Sequence, residues 1–284
     1  MRVFKSFILL TLIFSFTCLS ALSQSKTKTK TKKLRWPKFS IAQKDIINLK
    51  IRQLLHGKKE IVQKAVEKLK AFGPGVIPFV MRKIKDSEPN CNKYLEEIAL
   101  SVMDKKYIPL VYPYLKNKRK SVRTIALKLL EKFPTKEGIA KLKKAFEKEK
   151  DEQLKEELSL ALCTFGDISY IDILFEITKK NFFKKRDRIL KSAAGIKGEK
   201  AEKWLIKKLE QGKVKDKIAA LRLLAVAGTK NTARKIKKYM YHKNYTIALA
   251  ALNAIRSLIE GKKPLEHISV FELVRMRKEW EEKL

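Results

Sequence analysis

A unit of about 31 residues recurs along this chain, and a period of that length restricts the fold to a stack of similar units. Before Gly73 come Phe72, Leu69 and Ala65; before Pro134 come Phe133, Leu130 and Ala126. Gly166 follows Phe165, Leu162 and Leu158, and Gly228 follows Ala227, Leu224 and Ala220. These anchors stand 61, 32 and 62 residues apart, so one further copy fits inside each long gap. Weaker copies end there, near Met103 and near Ile196. A chain built this way is expected to present a surface rather than enclose a catalytic pocket.

Each unit divides into two apolar stripes at helical spacing. In the first, Ile61, Ala65, Leu69 and Phe72 mark helix A, Gly73-Pro74-Gly75 breaks it, and Ile77, Val80 and Ile84 mark helix B. The second has Ser87 as its expected N-cap before Pro89, with Ile108, Val111 and Leu115 on its B helix. The third carries Val122, Ala126, Leu130 and Phe133, then Ile139, Leu142 and Phe146. The fourth carries Leu154, Leu158, Leu162 and Phe165, then Ile171, Leu174 and Ile177. The fifth is irregular, with Ile189, Ala193 and Ile196, then Ala201, Leu205 and Leu209. The sixth has Ala220, Leu224 and Ala227, then Ala233, Ile236 and Met240, and a partial seventh runs through Ile247, Ala251 and Leu258. With 10 Gly and 8 Pro in 284 residues, turn punctuation is too sparse for a sheet-rich fold, so an all-α chain is expected.

The stretches SVRTIALKLLEKFP (121–134), KIAALRLLAVAGTKNTA (217–233) and LKAFGPGVIPFVMRKIKD (69–86) resemble HEAT repeats, in particular the short bacterial kind called phycobilisome-lyase-like. Val122-Arg123 matches the family's paired position, and Ile77-Pro78 and Ile108-Pro109 match its opening of helix B. The second and fifth units lack the turn Gly at its usual place, and Lys155 stands where the family usually has Arg. The resemblance spans about residues 58–260. It implies a right-handed α-solenoid of about six to seven antiparallel helix pairs and says little about chemistry. The expected organisation is a signal peptide over 1–23, a disordered basic linker over 24–37 and an N-terminal capping helix over 38–57. The repeats follow over 58–262, and a polar C-terminal capping helix over 263–284. Ser40 and Gln43 form a capping box at the start of the first cap.

Arg2 and Lys5, the apolar run Phe7–Phe16 and Ala21-Leu22-Ser23 before Gln24 give the layout of an export signal cleaved after Ser23. The chain is then expected in the periplasm or secreted. Two alternatives stay open: Cys18 as a lipid attachment site, and Ser6–Ser25 as an uncleaved anchor holding the body in the cytoplasm. The lysines of KTKTKTKK favour the latter by the positive-inside rule. Cys91 and Cys163 fall two units apart, about 20 Å at ~8–10 Å per helix layer, beyond the ~7 Å a disulfide spans, so two free thiols are expected. Asn244-Tyr245-Thr246 is a glycosylation sequon, of use only in a eukaryotic host.

Lys and Arg number 66 against 30 Asp and Glu, a net charge of +36. Such an excess favours an anionic partner. The expected partner is an acidic protein or an anionic membrane or envelope polymer, with nucleic acid as the alternative. His56, His242 and His267 are the only histidines and none belongs to a HExxH or His-Glu pair, such as the di-iron hydroxylases among HEAT proteins require. No phosphate loop, nucleophile elbow or CxxC occurs. A non-catalytic scaffold follows, with no cofactor, no metal and no small-molecule substrate expected. The adjacent pairs Glu96-Glu97, Glu156-Glu157 and Glu281-Glu282 read as solvated faces.

Two groups of basic residues are the candidate binding elements. Aligned by their stripes, the B helices put Arg82, Lys144 and Lys238 in one row and Lys141, Lys203 and Lys235 in a second, with Lys83 and Lys207 beside them. Stacking would turn the rows into ladders along a groove. The competing reading is a solvated face. Lys184, Lys185, Arg186 and Arg188, with Lys179, Lys180 and Lys191, surround Phe182-Phe183 between the fourth and fifth units. That cluster could grip a polyanion, or be a linker whose two Phe seal the core. The nucleic-acid alternative resembles the HEAT-fold alkylpurine DNA glycosylases, for which Trp204 and Asp172 are the only candidates and match no motif.

Overall fold

The computed structural model describes residues 34–284 apart from Gly57, so the signal peptide and most of the basic linker lie outside the described residues. The described chain is all-α, with no strand. Its helices are α1 (Ile41–Gln53), α2 (Lys59–Ala71), α3 (Ile77–Lys83), α4 (Pro89–Val102), α5 (Lys120–Lys132), α6 (Lys136–Lys148) and α7 (Glu152–Thr164). There follow α8 (Ile171–Gly195), α9 (Glu199–Gln211), α10 (Val214–Ala227), α11 (Lys230–Ile236), α12 (Tyr245–Glu260) and α13 (Val270–Glu282).

The A helices form one continuous layer. α2 packs on α4, α4 on α5, α5 on α7, α7 on α8, α8 on α10 and α10 on α12. The reason lies in the stripes: Ala65, Leu69, Ala126, Leu130, Leu158, Leu162, Ala193, Ala220, Leu224 and Ala251 are all buried. The aromatics that close several A helices, Phe72, Phe133 and Phe165, are half-buried at the layer's edge. The period also appears as hydrogen bonds between units. Ser192 donates to the Leu160 carbonyl at 2.8 Å and Ser257 to the Ala225 carbonyl at 2.8 Å, both across 32 residues. Lys132 reaches the Leu100 carbonyl over the same interval.

Two apolar cores run end to end and meet at α7. Leu154, Leu158, Ala161 and Leu162 belong to the N-terminal one, Leu160 and Cys163 to the C-terminal one. At this seam the backbones come close: a Cβ on Gly195 would stand 2.3 Å from the Cys163 carbonyl oxygen. Gly73 and Gly166 take positive φ, 65° and 90°, as turn glycines after an A helix. Gly228 does the same job in extended geometry.

Several local expectations change. The second unit's B helix is replaced by two 3₁₀ segments, Lys105–Leu110 and Tyr112–Lys116, because Pro109 and Pro113 deny the backbone N–H groups an α-helix needs. Glu88, not Ser87, is the N-cap of α4, since Pro89 occupies the first helical position. The fourth unit's B helix and the fifth unit's A helix run on as α8, bent where Asn181 and Lys185 leave helical geometry. Phe182 seals the core at that bend, whereas Phe183 is 71% exposed. The stretch expected as linker ends in packed residues: Trp36 stacks on Tyr107 at 5.4 Å. α13 buries Leu273 and Trp280 but leaves Val270, Phe271 and Val274 in solvent, so the last cap is not uniformly polar. Asn244 of the sequon is the N-cap of α12, its side chain accepting from the Ile247 N–H at 3.2 Å.

Candidate functional site

Pro109 and Pro113 shape a strongly basic concavity. The 3₁₀ segment Tyr112–Lys116 and helix α6 form its walls, enclosing a basin of about 650 Å³. Tyr112, Leu115 and Ala145 line its apolar part. Thr135 caps α6 through the Gly138 N–H at 3.0 Å and meets the Tyr112 hydroxyl at 3.2 Å, which joins the walls at one end. Lys141, Lys144 and Lys148 share the inner stripe of α6 at spacings of three and four. Lys116 and Lys118 face them from the other wall, and Lys150 stands beyond the end of α6.

Glu149 is the one carboxylate in the lining, and it is spent. Its side chain is 4% exposed and is gripped by Arg123, Nε to Oε2 at 2.7 Å and Nη2 to Oε1 at 2.8 Å. Burial pushes the Glu149 carboxyl up, but Arg123 and the N–H groups of Asp151 and Lys150 outweigh it and hold the pKa below the usual range. Arg123 also donates to the Asn117 and Lys118 carbonyls at 2.9 and 3.0 Å. The Arg of the Val-Arg pair is therefore a clasp that fixes the basin floor. Lys116, Lys118, Lys144, Lys148 and Lys150 have no carboxylate within 4.0 Å among the described residues. Lys141 has only Glu137, at 3.8 Å, and sits over the Tyr112 ring at 5.8 Å. Like charges around one basin repel, and a bound anion would relieve that repulsion.

Of the two expected ladders, the basin unites Lys141 and Lys144. The other members are placed differently. Arg82 lies over the Phe79 ring, Lys238 over Tyr239, Lys203 pairs with Glu199 at 2.6 Å and Lys235 with Glu202 at 2.8 Å. Lys83 and Lys207 are exposed. The second basic cluster is largely neutralised. Lys185 bridges Glu156 and Glu157 at 2.9 and 3.0 Å, Arg188 bridges Glu131 and Glu157 at 2.8 and 2.6 Å, and Arg186 holds Glu266 at 2.6 Å. Lys184 stays exposed. Burial pushes the Glu131 carboxyl up, against the pull of Arg188.

Glu96-Glu97 and Glu156-Glu157 are thus structural rather than merely solvated, whereas Glu282 of the third pair is exposed. Glu97 binds Lys70 of the unit before and Glu96 binds Lys128 of the unit after, so adjacent residues reach opposite neighbours. Trp204 packs edge-on to Phe175 at 5.3 Å with Lys208 above it, and Asp172 is exposed in the first turn of α8. Cys91 and Cys163 are free and buried, and burial pushes the Cys163 thiol up to about 12. No group of three or more metal-ligating side chains is gathered among the described residues.

No family model matches the chain, and no curated protein matches it. Among solved structures, human deoxyhypusine hydroxylase in complex with glycerol is 14% identical, over 86% of this chain and 98% of that one, with a TM-score of 0.34. An engineered protein is 14% identical, over 78% of this chain and 99% of its own, with a TM-score of 0.31. Scores this low carry no argument about this chain.

Proposed function

We propose that this chain is a non-catalytic, HEAT-like α-solenoid that binds an acidic protein segment in the basin between Tyr112–Lys116 and α6, outside the cytoplasm. One observation carries the reading: six lysines surround a basin whose single carboxylate, Glu149, is tied off by Arg123. A basin with apolar walls and exposed ammonium groups suits an extended acidic peptide, with side-chain carboxylates on the lysines and its stem along Tyr112 and Ala145. Export rests on the sequence of residues 1–23. No described helix is long and apolar enough to cross a membrane.

The test is a titration with a fluorescent oligoglutamate against the full chain and a Lys144→Glu/Lys148→Glu variant. Two reversals should weaken binding about tenfold at low salt, at ~0.5–1 kcal/mol for each exposed pair. The matched Lys207→Glu/Lys235→Glu variant should lose much less. Equal losses in the two variants would refute the basin. Tighter binding of single-stranded DNA, with a steep salt slope, would favour the nucleic-acid reading instead.

A further inference from the structure

Far from the basin, α8, α10 and α12 leave a second, apolar groove of about 310 Å³, at the lower end of the ~300–1,000 Å³ range of small-molecule sites. Leu190, Val226, Leu249 and Ala250 make its walls. The loop after α12 closes one side and is pinned there: Asn253 accepts from the Leu265 N–H at 2.8 Å and donates to its carbonyl at 2.9 Å. Arg186 and Glu266 join across the mouth at 2.6 Å.

Arg222 stands inside this groove. Its guanidinium carbon lies 4.2 Å from the Phe182 ring centre and 4.8 Å from that of Phe183, a shelf that fixes its plane. Burial pulls its pKa below the usual arginine value. Among the described residues no carboxylate lies within 4.0 Å of it and no protein group accepts a hydrogen bond from it. Water still reaches its half-buried guanidinium, and a ligand carboxylate would replace that water with a charge-assisted pair. The charged groups facing the groove are Arg222, Arg186 and Glu266, with His267 beside them, and Glu266 is already engaged by Arg186. The unanswered charge is positive and single.

We propose that this groove binds a small amphipathic acid, its carboxylate on Arg222 and its aliphatic body along Leu190, Val226, Leu249 and Ala250. The ligand is held and not converted, so the role adds to the scaffold reading and stands independently of it. Charge complementarity selects an anion, the volume limits its size, and the apolar walls exclude a bare inorganic ion.

Calorimetric titration of the full chain with decanoate, below micelle formation, tests this against 1-decanol. Decanoate should bind one to one, and the alcohol about 10- to 100-fold more weakly, the range of a hydrogen bond to a charged group. Arg222→Gln should abolish that preference and keep the thermal melting curve of the parent. Ala250→Met should block both ligands by filling the groove. Lys144→Glu in the distant basin should leave decanoate binding unchanged. Equal affinity for acid and alcohol, or full binding by Arg222→Gln, would overturn the assignment. So would an apolar peptide with a free C-terminal carboxylate binding where decanoate does not, because the occupant would then be a protein tail.

Discussion

Replacing Arg123 by Met tests whether the basin rests on a buried clasp. The Glu149 side chain is 4% exposed and takes two hydrogen bonds from Arg123, at 2.7 and 2.8 Å. Removing one partner of a buried pair costs about 3–5 kcal/mol, because the other charge stays behind. Glu149 keeps the N–H groups of Lys150 and Asp151, at 3.1 and 3.0 Å, which places the loss near the low end, about 3 kcal/mol. At roughly 2–4 °C per kcal/mol for a body of this size, the melting midpoint should fall by about 6–12 °C. A stack of repeats can unfold in stages, so the transition should be followed both by helical circular dichroism and by tryptophan fluorescence, which adds Trp36 in the N-terminal half to Trp204 and Trp280 in the C-terminal half. Arg123→Met/Glu149→Met should recover most of the loss, since no buried charge remains. A single-variant loss below about 1 kcal/mol, or additive losses in the double variant, would refute the clasp.

Further outcomes follow from the same structure. Gly195→Ala should destabilise the chain by about 1–3 kcal/mol in urea unfolding, because its Cβ would collide with the Cys163 and Thr164 carbonyls, although helix propensity alone favours Ala by about 1 kcal/mol. Cys163 should resist alkylation at neutral pH until the protein unfolds, as burial pushes its thiol up to about 12; labelling of the native chain at the rate of a free thiol would contradict this. Glu149, Asp151 and Asp86 all have lowered folded pKa values, Asp86 chiefly through the Ser121 N–H. Their contribution is complete above the unfolded value of about 4 and is lost as pH falls through the depressed folded values. Urea midpoints should therefore decline below about pH 4.5, and less steeply in Arg123→Met, which has already lost the pull on Glu149.

The sequence made the layers legible because burial follows helical spacing. Nearly every stripe residue from Ala65 to Ala251 is in the core, and the period reappears as bonds across 32 residues. The basin was half legible. Lys141 and Lys144 lie on a regular B helix and could be aligned by its stripe. Lys148 lies on the same stripe one turn further on, but Lys116 and Lys118 could not be aligned, since they end and follow a 3₁₀ segment made by Pro109 and Pro113, and Lys150 lies beyond α6. Pro113 sits in the 3₁₀ segment that replaces the second unit's B helix, and that replacement is what opens the basin. The dense cluster around Phe182 stayed open between a polyanion grip and a core-sealing linker, because only the fold brings Glu131, Glu156 and Glu157 beside its basic residues. Arg222 carried no signal: it sits in an ordinary A-helix position, and its isolation from carboxylates is a tertiary fact.

The central claim is that the basin between Tyr112–Lys116 and α6 is where an acidic partner binds. Acetylation of each lysine, measured by mass spectrometry with and without saturating oligoglutamate, tests it most directly. The account predicts the strongest protection at Lys116, Lys118, Lys144, Lys148 and Lys150, with Lys83, Lys184 and Lys207 little changed. Uniform protection along the chain, or protection centred on Lys203, Lys207 and Lys235, would contradict it.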